Sequence, residues 1–296
     1  MERRAHRAFA SAIAFALATV SLVGCGGGGS GTPASPTRTP TSSVSPTSSA
    51  STPTSGDTPT NTIPAPTQSP TVSPTKSPAP SPTSTGLPAA LAGHVMWRIP
   101  TTEHVVALTF DGGSGGQGAA SVLSTLGATG VPATFFLTGR FAQTYPQTAQ
   151  AIAASGILGN HTMTHPHLTQ LSSSAVRAEV TDAETAITAT TRRAAKPWFR
   201  FPFGEYDART LGIVNDLGYA AIGWTVDTLG WEGRAGAGTV DDVGARGLAR
   251  LQPGTIVLMH LGAAPDGSTL DADALPQLIT AIRHAGYFFV TVNTMR

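Results

Sequence analysis

VVALTFDGGSGGQGAASVLSTL, residues 105–126, carries two readings, and the choice between them decides the fold. Residues 113–118 fit G-x-G-x-x-G, follow an apolar run and precede a helical pattern, as the dinucleotide-binding fingerprint requires. Asp111, however, closes the apolar run before the glycines begin. The loop is then either a cradle for phosphate or a support for a catalytic carboxylate. The fingerprint wants Asp or Glu at the end of the next strand, about 20 residues on. That stretch reads FFLTGR and offers Arg140, which would suit the 2′-phosphate of NADP. The fingerprint has no place for an acid at the end of its first strand, and the chain contains no G-x4-G-K-[ST]. Residues 112–118 therefore read as an open, mobile loop that leaves room above Asp111, with no nicotinamide cofactor.

From this stretch outward, apolar runs alternate with helical patterns. Strands are expected at 105–110, 133–138, 157–160, 198–201, 220–226, 255–260 and 287–292, mostly as continuous apolar runs of the kind covered on both faces. Helices are expected near 117–128, 144–154, 173–192, 207–217, 239–250 and 272–285. Ser172–Ser174 and Thr239 serve as N-caps; Gly130, Gly156, Gly218 and Gly286 serve as stops. Such alternation predicts a parallel α/β sheet. Several of these strands end in an ionisable residue: Asp111, His161, Arg200, Asp227 and His260. In a parallel barrel those ends meet at one rim, where active sites are built; an open doubly wound sheet would gather some of them at its switch point.

The chain ahead of this part has a different character. Arg3, Arg4 and Arg7 precede the apolar run 8–23, which is on the short side for a membrane span. Leu22–Cys25, LVGC, resembles a bacterial lipoprotein cleavage box, which makes residues 1–24 a signal peptide and Cys25 the lipidated first residue. Cys25 is the only cysteine, so no intrachain disulfide supports the fold. Residues 25–90 are almost wholly Ser, Thr, Pro, Gly and Ala. They bury too little apolar surface to offset their ordering entropy and read as a disordered linker. Fully extended, the linker would reach about 200 Å, and as a flexible coil about 45 Å. Residues 91–296 form the folded domain. Net charge is +1 for the whole chain and −1 without residues 1–24, a balance that gives no sign of nucleic acid as a partner.

GNHTMTHPHL, residues 159–168, places His161 and His165 four apart, so that two neutral imidazoles can share a divalent ion. No Glu follows the first His, which separates the stretch from zincins, and Pro166 discourages a helix. His167 reads as a supporting residue. Taken in order, TFDGG (109–113), HTMTH (161–165), RFPFG (200–204), DTLGW (227–231) and LMH (258–260) resemble the five motifs of the polysaccharide deacetylases with a NodB homology domain, carbohydrate esterase family 4. The resemblance covers about residues 103–293. It implies a distorted (β/α)7 barrel and metal-assisted removal of N-acetyl groups from an amino-sugar polymer such as peptidoglycan or a chitin-like glycan. It further implies a divalent metal, with zinc expected, on His161 and His165; Asp111 as general base; Arg200 as its holder; and His260 as general acid. The backbone at Phe203 would support the oxyanion, and Trp231 would face the substrate. Of the other tryptophans, Trp224 reads as a core residue. With the lipid anchor, the enzyme would sit on the outer face of the cell membrane, facing the cell wall.

Two motif positions depart from the pattern. Gly112 stands where the family has a metal-ligating Asp, and Gly230 where it has the Asp that contacts and tunes the acid histidine. The first loss weakens or alters metal binding; Asp111, water or Asp227 are the candidate substitutes. The second lowers the expected pKa of His260, because a nearby negative charge favours imidazolium. Both losses support a rival reading: a catalytically impaired, deacetylase-like module that binds glycan or metal.

Overall fold

The computed structural model describes residues 86–113 and 115–296. The expected signal peptide, the expected lipidation site Cys25 and the expected linker up to residue 85 lie outside the described residues. The strands are β1 (Val95–Met96), β2 (Val105–Gly112), β3 (Ala133–Leu137), β4 (Ile157–Asn160), β5 (Trp198–Phe199), β6 (Ala220–Ile222), β7 (Val226–Asp227), β8 (Thr255–His260) and β9 (Phe288–Phe289). The helices are α1 (Ala119–Thr129), α2 (Gly139–Thr144), α3 (Pro146–Ser155), α4 (Ser173–Thr191), α5 (Ala208–Asp216), α6 (Gly233–Ala237), α7 (Val240–Leu248) and α8 (Leu270–His284). Among the described residues no helix is long and apolar enough to cross a membrane.

All strand pairs are parallel, in the order β1-β6-β5-β4-β3-β2-β8-β7, with β9 also on β2. The two ends of this curled sheet meet through the connection from β6 to β7. Gly223 N–H donates to Met96 O at 2.9 Å on the β1 side, and Thr225 N–H donates to Ile256 O at 2.8 Å on β8. The barrel is thus closed by a short connection rather than by a paired strand, with the Thr225 hydroxyl also donating to Trp97 O at 2.8 Å. The expected strand 220–226 is two strands for this reason: its middle, Gly223–Thr225, bridges the gap. A side chain at Gly223 would run into the Trp97 ring.

Alternation along the strands assigns the two faces. Val106, Leu108 and Phe110 of β2 share an outer core with Phe135, Leu137, Val257, Met259 and the apolar sides of α1 and α8. Ala107 faces the interior with Phe136, Ile256 and Trp198. The same parity points Thr109 and Asp111 inward, and His260, the register partner of Asp111, with them. Because parallel strands all run the same way, their C-terminal ends form one rim.

Local chemistry sets the helices. Ser172 Oγ caps α4 by accepting from Ala175 N–H at 3.2 Å. Asp207 with Thr210, and Thr239 with Asp242, close reciprocal capping boxes on α5 and α7. The helix expected at 144–154 is α3, opened by Pro146, and a further short helix, α2, ends just ahead of it at Thr144. Helix α8 begins at Leu270, two residues before its expected start, and this brings Asp271 into its first turn.

At its helix end the glycine loop is packed rather than open. Gly118 N–H donates to Leu261 O at 2.9 Å, and Gln117 Oε1 accepts from Ala263 N–H at 3.2 Å. Gly118 lies so close to Ala272 and to Leu261 O that an added Cβ would be 3.2 Å from each. The glycines therefore let the β2–α1 turn pack under the residues that follow β8, and the first amide of α1 is already engaged.

Candidate active site

Asp111, His161, His165 and His260, which the sequence places on three strand ends, line one cleft of about 850 Å³ together with Phe203 and Trp231. Arg200 lies beneath it, fully buried. Its Nη1 donates to Asp111 Oδ1 at 2.7 Å, Nη2 to Thr109 Oγ1 at 3.0 Å and Gly223 O at 3.1 Å, and Nε to Ile222 O at 3.3 Å. The guanidinium also lies over the Phe136 ring at 4.1 Å. A buried guanidinium is tolerable only when paired and bonded in this way, and the arrangement fixes Asp111 to one rotamer. Burial alone would raise the Asp111 pKa. Against this, the charge of Arg200 is the leading effect, and the carboxyl is held below its usual range.

The two histidines are placed by the loop after β4. Asn160 Oδ1 accepts from Thr162 N–H at 2.9 Å, and Thr162 Oγ1 accepts from His165 N–H at 3.0 Å. Glu179 of α4 takes both the N–H and the hydroxyl of Thr164 at 2.8 Å. Thr162 and His165 adopt positive φ, 68° and 62°, and such backbone persists only where its surroundings over-determine it. The result brings the imidazole rings to 4.7 Å between centroids. His161 Nδ1 lies 2.9 Å from Arg200 O, an acceptor only, so Nδ1 carries the proton and Nε2 presents a lone pair to the cleft. That Nε2 is 3.4 Å from Asp111 Oδ2. Burial lowers the pKa of both rings, and brings His165 to about 4. Both are neutral at pH 7, the state a metal ligand needs.

These residues fit a divalent ion as an open site: two neutral imidazoles with the free oxygen of a fixed carboxylate beside them. Among the described residues no group of three His, Cys, Asp or Glu side chains forms a ready-made cage. Gly112 shows why. It faces the outer layer, where an added Cβ would be 2.8 Å from Leu137 Cδ2 and 3.2 Å from Leu261 Cδ1. Hydrocarbon fills the place from which an acidic side chain at position 112 would start.

The surroundings of Gly230 correct the sequence reading. An added Cβ there would fall on the carboxylate of Asp271. Asp271 is buried, 3% exposed. Its Oδ2 accepts from His260 N–H at 2.8 Å and lies 3.3 Å from His260 Nδ1, while Oδ1 accepts from Thr228 Oγ1 at 2.6 Å. Burial would lower the His260 pKa, but the hydrogen bond and charge of Asp271, joined by Asp111 and Asp227, raise it above the ordinary value. The lowered pKa expected from Gly230 is therefore wrong, because the negative charge arrives from α8. The sequence signal was an acidic pair, Asp271 and Asp273, just ahead of an apolar helix, a pattern that reads equally well as surface.

The remaining expected residues divide. Trp231 is half-exposed at the cleft, its ring 6.2 Å from His260. Phe203 is exposed, with φ 59°, and its ring lies between His165 and His167. Trp224 is only partly a core residue: it is half-buried, packs against the inner core and edge-on against Trp97, and also lines the cleft wall. Trp198 is the core tryptophan. His167 pairs with Glu205 at 2.8 Å on the exposed outer side. Asp227 is tied to Leu229 N–H at 2.8 Å, and Trp231 Nε1–H reaches it at 3.4 Å. Asp227 thus shapes the cleft wall beside His260 rather than joining the histidine pair.

Residues 98–222 match the family model for polysaccharide deacetylase. The chain is 35% identical over 191 residues to a chitooligosaccharide deacetylase of Sinorhizobium fredii, covering 62% of this chain and 87% of that one. It is 31% identical over 198 residues to a peptidoglycan-N-acetylglucosamine deacetylase of Bacillus cereus, covering 66% and 70%. A similar solved structure is a CE4-family pseudoenzyme from Bacillus anthracis, with TM-score 0.63, 29% identity and 69% of each chain covered. A mutant of that protein is described as having restored enzymatic activity. This chain belongs to the polysaccharide deacetylase family. The family-model match ends at residue 222, and Gly230, His260 and Asp271 all lie beyond it.

Proposed function

We propose that the protein is a metal-dependent hydrolase that removes N-acetyl groups from amino-sugar residues of a glycan such as peptidoglycan or a chitin-like polymer. The observation that carries this reading is the Asp111 carboxylate, fixed by Arg200 through one oxygen, with its second oxygen turned toward two neutral imidazoles. His161 and His165 would hold the ion. A divalent ion such as zinc supplies Lewis acidity to the acetyl carbonyl and lowers the pKa of the attacking water.

The rest follows from the chain's own groups. Asp111 Oδ2 accepts a proton from the water, while Arg200 keeps Oδ1 engaged and the carboxyl ionised. The backbone at Phe203 stabilises the oxyanion as it forms. His260, protonated at neutral pH more readily than an exposed histidine, gives its Nε2 proton to the departing amine. Trp231 and Trp224 offer flat apolar surfaces to the sugar rings on either side.

Lipidation of Cys25 would hold the enzyme at the outer face of the cell membrane, and the Ser/Thr/Pro-rich linker would let the domain reach the cell wall. The purified protein, supplied with zinc, releases acetate from N-acetylated glycan oligomers, and a chelator stops the release. No acetate from a panel of chitin-type and peptidoglycan-type substrates would overturn the reading. It would favour the impaired, glycan- or metal-binding module, which the hydrocarbon packed at Gly112 supports.

A further inference from the structure

Helix α8 brings a buried carboxylate to the backbone and ring of His260, in a place where the nearest motif offers only Gly230. Three facts define that place. Asp271 Oδ2 accepts from His260 N–H at 2.8 Å and lies 3.3 Å from Nδ1. Oδ1 is anchored by the Thr228 hydroxyl at 2.6 Å. A side chain begun at Gly230 would occupy the same volume as the Asp271 carboxyl. The two positions are therefore alternatives: one carboxylate fits beside His260, and either element can supply it, but not both.

We propose that Asp271 is the positioning residue of the acid histidine, carrying from α8 the role that a carboxylate at position 230 would otherwise fill. This rests on the deacetylase reading for its catalytic consequence, though not for its geometry. With Nδ1 directed at a carboxylate, His260 keeps its proton there and turns Nε2 to the cleft in every protonation state, which is what a donor to the leaving amine needs. The first turn of α8 adds a favourable dipole for a buried anion. The other charged or titratable groups around His260 are Asp111 on β2, Asp227 on β7, and His161 and His165 after β4. Among the described residues, only Asp271 hydrogen-bonds the His260 side chain.

The test uses the full chain with Asp271→Asn, Asp271→Ala, Gly230→Asp and the double variant Asp271→Ala/Gly230→Asp. Asp271→Asn is expected to lower kcat by roughly 10- to 100-fold with KM nearly unchanged, the usual loss for a residue that orients a functional imidazole. Gly230→Asp alone is expected to lose both activity and thermal stability, because two carboxylates then compete for one space. The double variant is expected to recover most of the kcat lost in Asp271→Ala. A folded double variant no faster than Asp271→Ala, or an Asp271→Asn enzyme with wild-type kcat, would overturn the proposal. A second readout needs no turnover. The ring ¹⁵N signals of His260, assigned by their loss in His260→Gln, are expected to show a protonated Nδ1 in the wild type and a tautomer mixture in Asp271→Asn. Identical signals in both would overturn the proposal even if the protein proved inactive on every substrate, an outcome that would itself refute only the deacetylase reading.

Discussion

Gly112 and Gly230 are the same substitution with opposite outcomes. Each replaces a carboxylate that the motif pattern leads one to expect, and each is packed so tightly that a Cβ would collide with a neighbour. At Gly112 the neighbours are Leu137, Leu261 and Phe141, so the vacated volume is filled by hydrocarbon. At Gly230 the neighbour is the Asp271 carboxyl, so charge has been retained and only its origin in the chain has moved. A missing motif residue is thus not by itself evidence of a missing function; what occupies its volume decides. By this measure the carboxylate beside His260 is kept, and the place proposed for the metal is left with two imidazoles and Asp111.

The strongest challenges to this contrast come from the base and its holder. Asp111→Asn is expected to cut acetate release on the order of 10²- to 10⁴-fold, the range for loss of a general base. Arg200→Met leaves Asp111 buried without its partner and is expected to cost about 3–5 kcal/mol of stability, read as a fall in unfolding midpoint in urea. An Arg200→Met protein of wild-type stability would mean that the guanidinium is not what pays for the buried carboxylate.

The contrast itself is sharpened by Gly112→Asp. Its carboxyl would have to displace Leu137 and Leu261, so the variant is expected to lose about 1–3 kcal/mol, with no gain in zinc affinity by calorimetric titration. Tighter zinc binding at unchanged stability would show that the place is open to a ligand after all. A smaller effect is expected from Thr228→Val, which removes one hydrogen bond to Asp271: about 1–2 kcal/mol of stability and a few-fold loss of kcat. The mildest is a titration. In metal-free protein the His165 ring is expected to stay neutral until about pH 4, because burial and the neighbouring His161 disfavour its charged form. The unfolded chain takes up that proton near pH 6.5, so stability contributed by this group is full above 6.5 and is lost as the pH falls toward 4. The His165 ring C2 proton shift followed against pH reports this directly, and a midpoint near 6.5 would contradict it.

The sequence made the barrel and most of the cleft legible because both follow from short-range pattern. Strand ends at Asp111, His161, Asp227 and His260 are visible as apolar runs that stop on an ionisable residue, and parity turns the first and last of these inward. Asp271 was not visible for a physical reason. Its importance depends on the packing of α8 against the Gly230 turn, a long-range contact with no local signature, and on a helix start that capping left ambiguous: Thr269 makes no side-chain cap. Trp224 was read only in part, as core, because an aromatic in an apolar run resembles a strand residue, whereas here the run breaks to close the barrel and leaves one side of the ring to the cleft. Strand β1, of two residues, is too short to declare itself.

The most direct measurement of the central claim is zinc-edge anomalous scattering from crystals of the protein grown with zinc. The account predicts one strong peak in the cleft, about 2.0–2.1 Å from His161 Nε2 and from a ring nitrogen of His165, with Asp111 still paired to Arg200 and Asp271 still beside His260. A cleft without a peak, with zinc bound elsewhere or not at all, would contradict it.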